Sequence, residues 1–125
     1  MDADERVWTP SEILERYQRG ERDFHELDIA GGVTDKTSFR GAVLDDSDFS
    51  RCFIEADFTG ASLRDTRFIR ANVKTCTFDG ADLQNADFSE APIDGASFTD
   101  CKLEGATFEG AGAYGYTFKK GELPP

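Results

Sequence analysis

Three cysteines, one histidine and a surplus of acidic side chains are the groups in this chain that could do chemistry. Cys52, Cys76 and Cys101 could supply a thiolate nucleophile, a disulfide or soft metal ligands. His25 could serve as a base or a ligand. Adjacent carboxylates such as Asp45 and Asp46 could share acid–base work. None of these groups assembles into a site by spacing. His25 has no second ligand nearby in sequence, and no Cys-x-x-Cys pair is present. No Ser–His–Asp or Cys–His set, no glycine-rich phosphate loop, no HExxH and no calcium-loop pattern occurs. Carboxylate pairs recur because the sequence itself repeats, so they carry little information about catalysis. The expectation is a protein that is not an enzyme, with no catalytic, cofactor-binding or metal-binding residue.

The repeat that generates those pairs runs from Thr37 to Lys120 in units of five: TSFRG, AVLDD, SDFSR, CFIE, ADFTG, ASLRD, TRFIR, ANVKT, CTFDG, ADLQN, ADFSE, APIDG, ASFTD, CKLEG, ATFEG, AGAYG, YTFKK. The first place is small. The third is Phe, Leu, Ile or Val, except for Ala113. A period of five is neither helical nor that of a flat strand. It requires a chain that turns one corner per repeat and sends its first and third side chains inward. Four corners close a square, so one coil takes twenty residues.

Four columns test this. Leu44, Leu63, Leu83 and Leu103 form one, and Phe49, Phe68, Phe88 and Phe108 a second. Phe39, Phe58, Phe78, Phe98 and Phe118 form a third, and Ile54, Val73, Ile93 and Ala113 the fourth. The interval is nineteen where it crosses the four-residue unit CFIE, which places one deleted residue between Glu55 and Ala56. Coils stacked at about 4.8 Å make a solenoid with ladders of like side chains inside. Each fully buried Phe or Leu contributes about 1.5–3 kcal/mol. The three cysteines occupy small, inward first places on different faces, where free buried thiols stand in for Ala.

The units ADLQN, ADFSE and ADFTG resemble the Ala-Asp/Asn-Leu-X-X consensus of the pentapeptide-repeat proteins. That resemblance implies an all-β solenoid, a right-handed quadrilateral parallel β-helix of about five coils. The handedness is implied by the family. The stretch ILERYQRGERDF is also similar to the lead-in of many bacterial, notably cyanobacterial, members.

Before the repeats, Thr9-Pro10-Ser11-Glu12 reads as a helix start, with Thr9 as N-cap, Pro10 at the first helical position and Glu12 closing a capping box. Trp8 and Ile13 have hydrophobic-staple spacing, Ile13, Leu14 and Tyr17 share a stripe, and Gly20 is a stop. A short α-helix over about residues 10–19 is expected to cap the open solenoid end. The chain then divides into an N-terminal tail and capping helix at 1–21, the β-helix at 22–120 with an irregular first coil at 22–36, and a tail at 121–125. Phe24 and Ile29 fit the Leu and second Phe columns, Val33 or Thr34 is turned inward, and His25 faces outward. The first few residues are expected to be mobile.

At the far end, Tyr116, Phe118 and Leu123 either plug the core or leave it to another molecule. An end-to-end homodimer through the C-terminal coil is one such cover. Tyr114, Tyr116, Leu123 and the outward-facing Phe53 are therefore candidate interface residues. So are the Leu-face acids Asp45, Asp46, Asp65, Asp82 and Glu104.

The formal net charge is −11. Residues 1–36 carry ten acids and five bases, residues 37–120 fourteen acids and nine bases, and Glu122 adds the last charge. The solenoid is thus mildly acidic, and direct nucleic-acid binding is disfavoured for want of clustered cations. The bases Arg64, Arg67, Arg70 and Lys74 read as cross-coil partners of acids: Arg64 over Asp45, Arg67 between Asp48 and Asp87, Lys74 between Glu55 and Asp94. Arg70, near Arg51 and Glu90, fits less well. No apolar run or N-terminal signal is present, so a soluble cytoplasmic protein without membrane contact is expected. The favoured role is a non-catalytic solenoid presenting its faces to an unknown protein partner. The alternative is a DNA-mimicking modulator of a DNA-binding enzyme such as gyrase, which resemblance to the quinolone-resistance members implies.

Overall fold

A computed structural model describes residues 7–23, 28–29 and 32–125, with side chains at 8–9, 11–23 and 38–125. The expectations for Phe24, His25 and the first few residues lie outside the described residues, as do those for the side chains of Ile29, Val33 and Thr34.

The chain forms parallel coils. Second-place residues bridge to their counterparts one coil on: Val43 to Ser62, Asp48 to Arg67, Ser62 to Asp82, Asp87 to Thr107. The interval is nineteen at Phe53–Asn72 and twenty at Asp57–Thr77. The missing residue therefore falls between Phe53 and Asp57, where the four-residue unit puts it. There the corner is replaced by a continuous strand, β4 (Phe53–Asp57), paired with β3 (Gly32–Ser38). The β3 register slips between Val33 and Thr37, so the first coil is distorted where the repeat pattern blurs.

The four columns stack inside up to the last coil. Phe49, Phe68, Phe88 and Phe108 lie face to face at 4.8, 4.7 and 4.7 Å. Phe58, Phe78 and Phe98 stack at 5.2 and 5.1 Å. The two ladders meet edge-on, with Phe78 and Phe88 5.5 Å apart at 87°, which suits the ring quadrupoles. Leu44, Leu63, Leu83 and Val73 are fully buried.

Two backbone features explain the remaining places of the repeat. The fifth residue of each five-residue unit from Gly41 to Gly115 takes a left-handed φ, as at Asp46 (62°), Asp65 (57°), Asn85 (60°) and Gly105 (76°). This makes each corner and favours Gly, Asn and Asp there. The residue deleted from CFIE is the one that would have turned its corner. At the second place, Asp or Asn accepts the backbone N–H two residues on, as Asp48 does from Ser50 (2.9 Å) and Asp87 from Ser89 (2.9 Å).

The N-terminal end is capped as expected. Helix α1 (Pro10–Gln18) has Thr9 as N-cap, a complete capping box with Glu12 and Pro at its start. A short strand β1 (Val7–Trp8) pairs with β2 (Asp28–Ile29). Ile13 is buried in the core, and Tyr17 sits edge-on to Phe39 at 6.0 Å, its hydroxyl donating to the Arg40 carbonyl.

At the other end one expectation fails. Phe118 does not extend the column above Phe98. β5 (Gly112–Ala113) turns back on itself through Tyr114 (φ 51°) and Gly115 (φ 82°) into an antiparallel β6 (Tyr116–Thr117). Two successive positive φ values make the two-residue hairpin turn that matches strand twist. The reversal carries Phe118 over Phe108 instead, at 6.3 Å and tilted by 41°. The coil thus ends at the hairpin, and the regular repeat does not run on to Lys120.

Candidate interaction surface

Cys76 and Cys101 sit in settings that disfavour the thiolate. Cys76 donates its thiol to the Ile54 carbonyl (3.1 Å), and burial pushes it up to about 12. Cys101 donates to the Phe78 carbonyl (2.7 Å), and burial pushes it up to about 11. Cys52, Cys76 and Cys101 form no disulfide with one another. Among the described residues no group of three His, Cys, Asp or Glu is placed to hold a metal ion. No helix among the described residues is long and apolar enough to cross a membrane.

The Leu-face acids are split by their surroundings. Asp45 accepts from the Ser62 hydroxyl (2.6 Å), the Arg64 backbone N–H (3.0 Å) and the Arg64 guanidinium (3.1 Å). Burial alone would raise its pKa, but these donors outweigh it and hold the carboxyl below the usual range. Arg64 also reaches Asp82 at 3.9 Å, so one cation ties three successive coils. Asp46, Asp65 and Glu104 stay exposed at or beside the corners.

The cross-coil pairing is largely as expected, with two corrections. Arg67 pairs with Asp48 at 3.4 Å. Arg70, which fitted poorly, pairs with Glu90 at 3.0 Å. Lys74 forms no ion pair with Glu55 or Asp94 among the described residues, and Asp94 accepts the Tyr114 backbone N–H instead (3.0 Å). The hairpin turn competes for that carboxylate, and a flexible lysine is the weaker claimant.

Phe53 stands apart. It is exposed on β4, facing outward as expected. Tyr114, Tyr116 and Leu123, by contrast, gather at the C-terminal end and are respectively 79%, 48% and 46% exposed. Tyr116 is oriented by its hydroxyl, which donates to the Glu122 carboxylate at 2.6 and 2.8 Å. Around them the core opens. Ala96, Cys101, Leu103 and Ala106 are only half-buried, whereas Cys76, Ala81, Leu83 and Ala86 one coil below are at most 1% exposed. An apolar recess of about 280 Å³ lies above Phe98, walled by Ile93, Ala96, Tyr114, Phe118 and Pro124. It occupies the place where the Phe98 column would have continued.

The backbone is open there too. In lower coils the amides of Phe78, Leu83 and Phe88 donate to the coil above. The amides of Phe98 and Leu103 and the carbonyls of Cys101 and Ala106 have no such partner among the described residues. The C-terminal end therefore combines exposed tyrosines, an apolar recess and an unpaired strand edge, the features by which proteins recognise one another.

Comparison with known proteins agrees with the coil geometry. The pentapeptide repeat region model matches residues 53–124, and the model of eight pentapeptide repeats matches residues 23–73. No curated protein matches the sequence. Among solved structures, a pentapeptide repeat protein from the thylakoid lumen of Arabidopsis thaliana is 20% identical, with a TM-score of 0.59 over 72% of this chain. The chain spans 60% of that structure's length. A pentapeptide repeat protein from Nostoc PCC 7120 is 27% identical over 86% of this chain and 81% of its own, with a TM-score of 0.33. QnrB1, a plasmid-mediated fluoroquinolone resistance protein, is 12% identical over 72% of this chain and 64% of its own, with a TM-score of 0.22. With both family models covering the coils, the chain belongs to the pentapeptide repeat family and folds as its right-handed quadrilateral β-helix.

Proposed function

We propose that this protein is a non-catalytic solenoid that works by protein contact, and that the C-terminal end is its contact surface. One observation carries the reading. Of the four exposed large hydrophobic side chains among the described residues, Tyr114, Tyr116 and Leu123 fall within ten residues of one another at the end where the core is open. Clustered aromatic exposure beside an unpaired edge is costly to leave in water and marks a binding site. The rigid rod beneath supports it, because stacked Phe ladders hold the end in one shape. The high thiol pKa values and the filled interior support a non-catalytic role.

The test is capture of partners from host extract by three forms of the protein. These are the wild type, a Tyr114→Ser/Tyr116→Ser/Leu123→Ser variant, and an Asp46→Lys/Asp65→Lys/Glu104→Lys variant on the Leu face. The reading expects the end variant alone to lose its partner. Capture that survives in the end variant and is lost in the Leu-face variant would move the working surface to the acids.

A further inference from the structure

We propose that the open end takes one extended strand of a partner protein, laid along the Phe98 wall. Its anchor is a Phe or Leu side chain in the recess above Phe98, with a small residue two places before it. The proposal rests on the contact surface assigned above and names the chemistry of its occupant.

The coil stack defines what fits there. Ser97 accepts from the Phe78 amide (2.7 Å) and donates to the Cys76 carbonyl (3.0 Å). Those two bonds seat the wall at 96–100 on the wall at 76–80. The same pair of groups recurs one level up. The Phe98 amide and the Ala96 carbonyl have no backbone partner among the described residues. The repeat register assigns Thr117 to that level, but the hairpin carries it to Gly112 on the Ile wall. The reason is steric. Tyr116 holds the first place of this unit, where the coils below have Ala56, Cys76 and Ala96. A tyrosine is too large for a place beside the Phe rings. The chain's own last unit therefore turns away and leaves the edge unpaired.

The side-chain space is specified too. Ile54, Val73 and Ile93 fill the neighbouring column, and Ala113 ends it. With Ala at that level and Phe118 displaced over Phe108, a recess of about 280 Å³ remains between Phe98, Ile93, Ala113 and Tyr114. A cavity of about 150 Å³ already takes a benzene ring. A parallel strand would accept from the Phe98 amide and donate to the Ala96 carbonyl through one residue. Its next side chain then points inward, as Phe98 follows Ser97. That side chain enters the recess and continues the ladder of Phe58, Phe78 and Phe98. The residue before the pairing one lies beside the rings and must be small.

Area and charge favour a strand over a second copy. The open walls, residues 96–105, fall short of the ~20–30 residues a side of a standard protein–protein interface. A strand added to an edge needs only backbone bonds and a pocket for its side chain. Two copies of a chain of net charge −11 also repel one another.

A fluorescein-labelled peptide, Ala-Ser-Phe-Ser-Gly, titrated into the full chain and read by polarisation, tests this. It should bind saturably with a dissociation constant below about 1 mM, and hydrogen exchange at the Phe98 amide should slow. The same peptide with Gly in place of Phe, or with an N-methyl group on the Ser before Phe, should bind about tenfold more weakly or worse. Ala113→Ile restores the residue type of the column below and narrows the recess. It should leave the circular dichroism unchanged and weaken binding about tenfold. If that variant misfolds, the Gly peptide decides. No binding at about 1 mM overturns the proposal, as does binding that both Ala113→Ile and the Gly peptide leave intact. A dimer by light scattering that the peptide does not dissociate makes a second copy the occupant and overturns it too. Partner capture from host extract is a separate readout. Capture lost in the end variant, without peptide binding, removes the strand and leaves the broader reading standing.

Discussion

The ring of Phe68 lies parallel to that of Phe88, 2° between planes and 4.7 Å between centroids, although the two are twenty residues apart. Each coil is thus fastened to the next by an aromatic pair at its centre. Phe88 is fully buried and stacks on Phe68 below and Phe108 above. Phe88→Ala should cost about 3–5 kcal/mol, read as a lower urea midpoint. Phe53→Ala, at an exposed position, should move the midpoint by less than about 0.5 kcal/mol.

Thr75 occupies a corner at φ 64°, a conformation that a β-branched residue adopts at a cost. Thr75→Gly should therefore stabilise the fold by about 1 kcal/mol, the strain outweighing the added freedom of the unfolded chain. Gly105 is the converse. A Cβ there would stand 2.1 Å from the Asn85 amide oxygen at φ 76°, so Gly105→Ala should destabilise, and thermal melts of the two variants should shift in opposite directions.

The thiols should be silent in the folded protein. With Cys76 near 12 and Cys101 near 11, their thiolate fractions at pH 8 are about one in 10⁴ and one in 10³. Ellman's reagent should react with both only as fast as the protein unfolds. Rapid native labelling of Cys101 would show that the open end admits solvent to the core.

Acid should weaken the coil stack through a few aspartates. Burial would raise the carboxyls of Asp45, Asp48 and Asp57. The hydroxyls of Ser62 and Thr59, the backbone N–H groups of Arg64, Ser50 and Thr59, and the guanidiniums of Arg64, Arg67 and Arg40 lower them instead. A carboxyl whose pKa is depressed on folding adds stability above its unfolded value, near ~3.9, and loses it as pH falls through the lower folded value. Stability should be flat from neutrality to about pH 5 and fall below about pH 4. Asp45→Asn should flatten that acid limb in urea titrations at successive pH values.

A DNA-decoy role asks for rows of unpaired acids, and here Arg64 interrupts the Leu-face row by binding Asp45 and approaching Asp82. A gyrase supercoiling assay is expected to show no inhibition at large protein excess. Inhibition that vanishes with Asp46→Lys/Asp65→Lys would revive that role.

Most of the architecture was readable in the spacing of a few residue types. Leu44, Leu63 and Leu83 recur because each fills the same slot in successive coils, and a deletion of one residue shows as a nineteen among twenties. The capping helix was readable because Thr9, Pro10 and Glu12 act locally. Phe118 was misplaced because its type fits the column while the backbone reverses before it. The signal was present in Tyr114-Gly115, an aromatic–glycine pair where the small-residue rule has already lapsed at Tyr116. Lys74 was misassigned because register fixes where a side chain starts and leaves open which acceptor it reaches. The surface end was legible only in outline, since exposure of Leu103 and Cys101 depends on whether a further coil covers them.

The left-handed residue that closes each unit has a bearing on how such a chain can change length. Duplicating a twenty-residue cassette returns the growing rod to the same wall, so every downstream neighbour is preserved. Inserting a single unit of five would swing everything after it by a quarter turn, setting leucines on phenylalanines and scrambling each charge pair. Genes for this fold should therefore tolerate gain and loss in whole laps far better than in fractions of one.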